Sequence, residues 1–136
     1  MCPEKVSSIR QTATIGAPPA KVYEALMDSK MHGEFTGSPA KISAKVGAKF
    51  TAWDGYIMGK NLELVRGRKI VQEWTTTEWP AGAPPSKLEI RLTPKGEGTL
   101  LTMVHTEVPP AQRDDYAEGW ITCYWEPLKK YFEARS

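Results

Sequence analysis

Two histidines, a few carboxylates and a thiol are the side chains of this 136-residue chain that could do chemistry. His105 is a candidate general base, because an imidazole with a pKa near neutrality gains and loses a proton easily. Glu63 is a second candidate, although a bulge in its strand would turn the side chain to the other face of the sheet. Cys123 would become a nucleophile only if a neighbouring base lowered the pKa of its thiol.

Each of these residues also has a structural explanation. His105 stands near the end of a predicted strand, where its ring can pack under the last helix and hydrogen-bond a neighbour. Cys123 is a small residue on a helix and can belong to the core. Asp54 is needed by a turn, because Asp54-Gly55 between two strand-like runs predicts a two-residue β-hairpin. The sequence favours these structural roles, so a cavity enzyme that uses His105 or Glu63 ranks third, below two binding roles.

Motifs for a metal or a cofactor are absent from the sequence. There is no glycine-rich phosphate loop, no Cys-x-x-Cys pair and no His-Glu-x-x-His. With His32 and His105 as the chain's two histidines, a zinc or iron site would need carboxylates for most of its ligands, and no suitable spacing occurs. We therefore expect neither a metal nor a cofactor.

Composition limits the classes of protein that remain. Apolar residues make up 40 % and charged residues 25 %, as in an ordinary globular domain. A net charge of +2 without a basic cluster argues against nucleic acid, and no apolar run is long enough to span a bilayer. We expect a flexible N-terminus over 1–7 and a single domain over 8–136. A cytoplasmic location with reduced thiols is expected, as a monomer or a dimer.

The spacing of apolar residues predicts an α+β domain. Residues 8–15 alternate as a strand, after which Pro18 and Pro19 open a short helix. Asp28-Ser29 can cap a second helical turn. Beyond it the period changes from that of a helix to that of a strand, which predicts six further strands at 40–44, 48–53, 56–65, 69–77, 86–93 and 99–107.

The last segment, Pro109 to Phe132, has the pattern of one long amphipathic helix. Aromatic residues recur along it at helical spacing, with acidic residues near its start and lysines near its end. Pro127 interrupts the hydrogen bonding, so we expect a bend there. With about seven strands in all, this predicts a curved antiparallel sheet around the long C-terminal helix, with two short helices after the first strand.

An aromatic helix laid across a curved sheet leaves a wedge of space, which the rings either fill or line. Five tryptophans can simply supply core area, or they can surround an apolar ligand, and the sequence leaves both alternatives open. A few polar groups in an apolar recess are typical of small-molecule sites. The predicted cavity residues are Phe35, Phe50, Trp53, Gln72, Trp74, Ile90, Met103, His105, Trp120, Tyr124 and Leu128.

Several short strings, in their order along about residues 8–133, resemble a known family. They are Phe35-Thr36-Gly37, Gly47-Ala48-Lys49-Phe50, Asp54-Gly55-Tyr56-Ile57-Met58-Gly59, Ile70-Val71-Gln72-Glu73-Trp74, Glu78-Trp79-Pro80 and Gly119-Trp120-Ile121-Thr122-Cys123-Tyr124-Trp125. The chain is similar to homologues of the activator of heat shock protein 90 ATPase, in their C-terminal domain. That family belongs to the START-like SRPBCC superfamily, whose helix-grip fold is shared with the Bet v allergens.

The resemblance implies a helix-grip fold and a binding role, and it contributes no catalytic residue. Members of the superfamily are associated with lipids, hormones and polyketides. The first hypothesis is therefore a non-enzymatic domain that holds a small hydrophobic or amphipathic ligand between sheet and helix. The second is a co-chaperone-like module that binds heat shock protein 90.

Overall fold

Six antiparallel strands wrap around a C-terminal helix in a computed structural model of the protein, which describes residues 7–80 and 82–135. The strand order across the sheet is β1-β6-β5-β4-β3-β2. The elements are β1 (Ser7–Ile15), α1 (Pro19–Met27), α2 (Ser29–Thr36), β2 (Lys49–Ala52), β3 (Ile57–Val65), β4 (Lys69–Thr76), β5 (Ser86–Lys95), β6 (Gly98–Val108), a short 3-10 turn (Pro110–Gln112), α3 (Arg113–Trp120), a π segment (Ile121–Trp125) and α4 (Glu126–Arg135). The predicted helix-grip architecture is confirmed. The predicted flexible segment 1–7 lies outside the described residues except for Ser7, with which β1 begins.

The predicted strand at 40–44 is wrong, so the sheet of the described residues has six strands rather than about seven. This segment keeps a single bridge, from Lys41 to Thr51. The buried Asn61 amide donates to the carbonyls of Ser43 and Lys45 at 2.7 and 2.9 Å. Since a side chain takes these carbonyls, they do not continue a ladder along β2.

The predicted hairpin at Asp54-Gly55 is present, but its connection is longer than two residues. Ala52 pairs with Ile57, which leaves four residues between the strands. Trp53, Asp54 and Gly55 all have positive φ, at 52°, 56° and 89°. A left-handed backbone is costly for a side chain as large as that of Trp53. The turn between β2 and β3 therefore holds Trp53 in this conformation.

The first two helices begin and end as their sequences predict. Pro19 occupies the first turn of α1, where its missing N–H costs nothing. The Asp28 carboxylate caps α2 by accepting from the backbone N–H of Met31 at 2.9 Å. Gly37 ends α2 in a left-handed conformation with φ 79°.

The long C-terminal helix departs from α geometry one turn before Pro127. In the π segment the N–H of Glu126 donates to the carbonyl of Ile121, five residues earlier. Pro127 has no N–H to offer the carbonyl of Cys123, and its ring would clash there in a regular α-helix. A wider turn at this place accommodates both effects and re-aims Cys123 and Tyr124.

The core lies between the inner face of the sheet and the helices. The predicted alternation in β5 and β6 is confirmed, because Leu88, Ile90, Leu101 and Met103 all point inward and are buried. Leu128 of α4 is fully buried in the same core cluster. Among the described residues, no helix is both long enough and apolar enough to cross a bilayer.

Candidate functional site

A cleft of about 560 Å³ opens at the end of the sheet where β4 ends and β3 begins, beneath α3 and the π segment. Small-molecule sites commonly have volumes of this order, with mostly apolar linings and a few polar groups. The lining consists of Trp53, Tyr56, Ile57, Trp74, Glu78, Gln112, Asp115, Tyr116, Gly119, Trp120, Cys123 and Tyr124.

Aromatic rings in mutual contact form most of the lining. The ring centroids of Trp120 and Tyr124 are 4.8 Å apart, and those of Trp74 and Tyr116 are 5.2 Å apart. Trp74 also lies 5.6 Å from Trp120, and Trp53 lies 6.4 Å from Tyr124. Tilted and edge-on pairs at these separations attract one another, so the rings hold each other in place.

His105 lies beneath this lining and has no exposed surface. The indole N–H of Trp120 donates to its Nδ1 at 3.1 Å, which leaves the proton on Nε2. Nε2 lies 2.7 Å from the Ser86 hydroxyl, and that hydroxyl donates to the carbonyl of Trp74 at 2.6 Å. Burial lowers the pKa of His105 to about 3. Both ring nitrogens of His105 are therefore hydrogen-bonded within the protein. His105 positions Trp120 and has no lone pair left for a substrate.

His32 plays the same part for Tyr124 on the other side of the cleft. Its Nδ1 donates to the carbonyl of Leu26 at 3.1 Å, and its Nε2 accepts from the Tyr124 hydroxyl at 3.0 Å. Burial lowers the pKa of His32 to about 4. Sequence reasoning weighed His32 only as a metal ligand. Its place one helical turn before the buried Phe35 is the signal that marks it as inward-facing.

Glu78 at the rim accepts hydrogen bonds from two polar side chains, one at its carboxylate and one at its backbone carbonyl. The Tyr56 hydroxyl donates to Oε1 of Glu78 at 2.6 Å, and the Gln112 amide donates to the backbone carbonyl of Glu78 at 2.6 Å. Burial, followed by the bond to Glu78, raises the pKa of Tyr56 well above its usual range. Tyr116 shares a hydrogen bond of 2.6 Å with Thr76. These contacts tie the start of the helix to the end of β4.

Two buried polar atoms of the lining lack a hydrogen-bond partner among the described residues. They are Oε1 of Gln112 and Nε1 of Trp53, which lies near the Tyr124 hydroxyl without reaching hydrogen-bond geometry. Leaving a buried donor or acceptor unpaired costs about 1–3 kcal/mol. Native proteins keep few such atoms, and they are commonest where a ligand or strain is involved.

Four of the predicted cavity residues line the cleft, namely Trp53, Trp74, Trp120 and Tyr124. The other seven are buried but do not belong to its lining. These seven are Phe35, Phe50, Gln72, Ile90, Met103, His105 and Leu128. That a ligand contacts any of the eleven stays a prediction.

Several lining residues escaped the sequence analysis, although one pattern could have found them. Gln112, Tyr116, Gly119 and Cys123 follow helical spacing along one stripe of the C-terminal helix. The turn residue Tyr56 gave no such signal. Half-buried Cys123 lines the cleft, where its thiol is a free cysteine.

The remaining candidates for chemistry do not meet in one place. Glu63 follows a bulge in β3, is half exposed, and forms a surface ion pair with Lys69 at 3.2 Å. Within residues 7–80 and 82–135, no group of three or more histidine, cysteine or acidic side chains could hold a metal ion.

A curved antiparallel sheet that grips a long C-terminal helix over an aromatic cleft defines a helix-grip domain. Comparison with known proteins identifies which group of these domains is concerned. A family model described as "Activator of Hsp90 ATPase homolog 1-like protein" matches residues 16–133, and the chain belongs to this family.

Individual relatives agree with this assignment. The chain is 28% identical over 114 residues to the human Activator of 90 kDa heat shock protein ATPase homolog 1, covering 84% of this chain and 33% of the relative. It is 28% identical over 113 residues to homolog 2 from mouse, covering 83% and 34%. The chain thus spans about a third of the length of these relatives.

Solved structures agree in fold. An HSP90 activator from Plasmodium falciparum superposes with a TM-score of 0.84 at 23% identity, covering 93% of this chain and 96% of that one. Ara h 8.0201 superposes with a TM-score of 0.76 at 12% identity, covering 95% and 99%. Identities this low show a shared fold alone.

Proposed function

We propose that this protein is a non-enzymatic binding domain that holds a small hydrophobic or amphipathic ligand in the cleft beneath α3 and the π segment. The observation that carries the proposal is the cleft of about 560 Å³, bordered by Trp53, Trp74, Trp120 and Tyr124. Apolar ligands gain roughly 25 cal/mol for each Å² of surface removed from water. Six aromatic side chains in the lining supply that surface.

The lining is held in shape by its own contacts, which supports a binding role. Trp120 is fixed by His105, and Tyr124 is fixed by His32. Because these rings are already ordered, a ligand does not have to immobilise them, and less of the binding free energy is lost. The engagement of both nitrogens of His105 supports a role without catalysis.

Gly119 offers a way to close the cleft without disturbing the fold. It lies in α3 and lines the cleft, and a Cβ built on it would meet no atom within 4 Å. In Gly119→Leu the new side chain should occupy the space of the ligand. Glu118→Leu, at the neighbouring exposed position of the same helix, is the matched control.

The test is a dye-displacement screen over lipids and aromatic compounds, together with native mass spectrometry after gentle purification. We expect the wild type and Glu118→Leu to bind the same compounds, and Gly119→Leu to lose them. If the wild type binds nothing and shows no thermal shift, or if Gly119→Leu binds as well as the control, the proposal is wrong.

As a second function we propose a co-chaperone-like interaction with heat shock protein 90, supported by membership of the family. The surfaces to alter are the segment 80–85, whose prolines and glycine predict an exposed loop, and the exposed face of the C-terminal helix, where Ile121 is 43% exposed. Pull-down and calorimetry with the chaperone, with and without nucleotide, test this proposal. We expect association that weakens in Ile121→Ser, and absence of binding under both conditions would remove the hypothesis.

A further inference from the structure

The charged side chains of the cleft all have one sign. Glu78 and Asp115 are its carboxylates, and no lysine, arginine or histidine of the described chain belongs to the lining. Both carboxylates are on exposed residues, and they border a recess that is otherwise lined mostly by aromatic rings. A ligand that enters the cleft therefore passes negative charge at the rim.

The negative potential extends to the hydroxyl groups inside the rim. Burial is the main reason why the pKa of Tyr116 is raised, and the charges of Glu78 and Asp115 raise it further. The charge of Glu78 acts on the Tyr56 pKa in the same direction. A site that disfavours a phenolate in this way favours a cation in its place.

The rings contribute in the same direction as the carboxylates. Trp74 lies between Tyr116 and Trp120, at 5.2 and 5.6 Å, and all three rings border the cleft. The faces of aromatic rings carry negative charge and attract ammonium groups, most strongly where water is excluded. Anionic carboxylate ligands meet repulsion from the same groups.

Gln112 adds a further electronegative atom on this side. Its amide nitrogen faces the backbone carbonyl of Glu78, which can only accept, so Oε1 is directed the other way. This oxygen has no donor. The lining also has an unpaired donor, Nε1 of Trp53. It lies elsewhere in the cleft, where the Trp53 ring contacts Tyr124.

We propose that the cleft selects ligands that join an apolar body to a protonated amine. The amine would lie at the rim beside Glu78 and Asp115, and the apolar body would contact Trp74 and Trp120. This inference rests on the proposed binding function and adds the sign of the ligand's charge.

Three naphthalene probes of similar size and different charge test the inference: naphthylethylammonium, naphthylethanol and naphthylpropanoate. Their dissociation constants are measured by calorimetry at low ionic strength, where exposed charges are least screened. We expect the ammonium probe to bind about ten-fold more tightly than the alcohol, and the propanoate to bind most weakly. In Glu78→Gln/Asp115→Asn, this preference should fall to about three-fold or less.

Glu118→Gln removes a carboxylate from the same helix outside the lining and should keep the full preference. Equal binding of the three probes by the wild type, or tighter binding of the propanoate, would overturn the charge inference and leave the binding function intact. Unchanged selectivity in the double variant would also overturn it. If none of the probes binds, the proposed function fails first, and the charge preference fails with it.

Discussion

The indole N–H of Trp120 donates to Nδ1 of His105 at 3.1 Å, which joins the lining of the cleft to the strand beneath it. Trp120 cannot rotate without leaving a buried acceptor unpaired. One side of the cleft is therefore held by the core, and its shape does not depend on a ligand.

Ser86→Ala should destabilise the protein, although the substitution removes only a single hydroxyl group. The Ser86 hydroxyl contacts His105 Nε2 and donates to the carbonyl of Trp74, and its residue is 1% exposed. Its loss leaves the histidine N–H unpaired, so we expect the free energy of unfolding to fall by about 1–3 kcal/mol in urea denaturation. Ser43→Ala, at an exposed position, should change it by less than about 0.5 kcal/mol. Equal effects of the two substitutions would contradict the described network.

Stability should fall as the pH is lowered below 6.5, the ordinary pKa of histidine. Burial lowers the folded-state pKa of His32 to about 4 and that of His105 to about 3. Between these values and pH 6.5, both histidines are neutral in the folded protein but protonated in the unfolded chain. The unfolded state then binds more protons. Each histidine reduces the free energy of unfolding by up to about 1.4 kcal/mol per pH unit, until the pH passes its folded-state pKa.

Urea denaturation between pH 7.5 and 4.5 measures this slope, in steps spanning the window set by the values of about 4 and 6.5 for His32. In His32→Gln the slope should be smaller by about 1.4 kcal/mol per pH unit. An imidazole of the folded protein that titrates near 6.5 in NMR spectra would show that the histidine is not held neutral.

Gly59→Ala should be severely destabilising. A Cβ at Gly59 would overlap the backbone carbonyl of Glu73 and press against the ring of Phe50. Since the carbonyl belongs to the neighbouring strand and cannot move alone, we expect the free energy of unfolding to fall by about 3 kcal/mol or more. Gly16→Ala is the control, because a Cβ there meets no atom within 4 Å. Thermal unfolding of both variants checks the prediction, and similar midpoints would contradict the close packing at Gly59.

Occupation of the cleft should slow alkylation of Cys123. The thiol lines the cleft and is half-buried, so a bound molecule would cover it. In a Cys2→Ser background, the rate of reaction with iodoacetamide should fall as naphthylethanol saturates the protein. A rate that stays constant while binding is seen by another method would show that the probe binds elsewhere.

The architecture could be predicted from the sequence because it depends on local patterns. Pro18 and Pro19 suit the first turn of a helix through their own fixed φ, and the alternation of β5 and β6 needs only one buried face. The failed strand at 40–44 depends instead on a long-range contact, in which the Asn61 amide takes two carbonyls of that segment. The spacing of residues within 40–44 cannot reveal that a distant side chain bonds the carbonyls that strand pairing would need.

The cleft could be predicted only in part for a similar reason. Rings on the helix and in β4 were expected to border a space, but packing decides how much of that space is filled. Leu128 and Met103 are fully buried in the core outside the cleft, whereas Gly119 borders the cleft and has no side chain to fill it. The rim residues Glu78 and Asp115 come together through folding of distant segments.

The most direct test of a ligand in this cleft is an NMR titration that follows the five tryptophan indole N–H signals with naphthylethanol. The signals of Trp53, Trp74 and Trp120 should shift on addition of the probe in the wild type and in Glu118→Leu, and should not shift in Gly119→Leu. Unmoved signals in the wild type, or equal shifts in Gly119→Leu, would contradict ligand binding in this cleft.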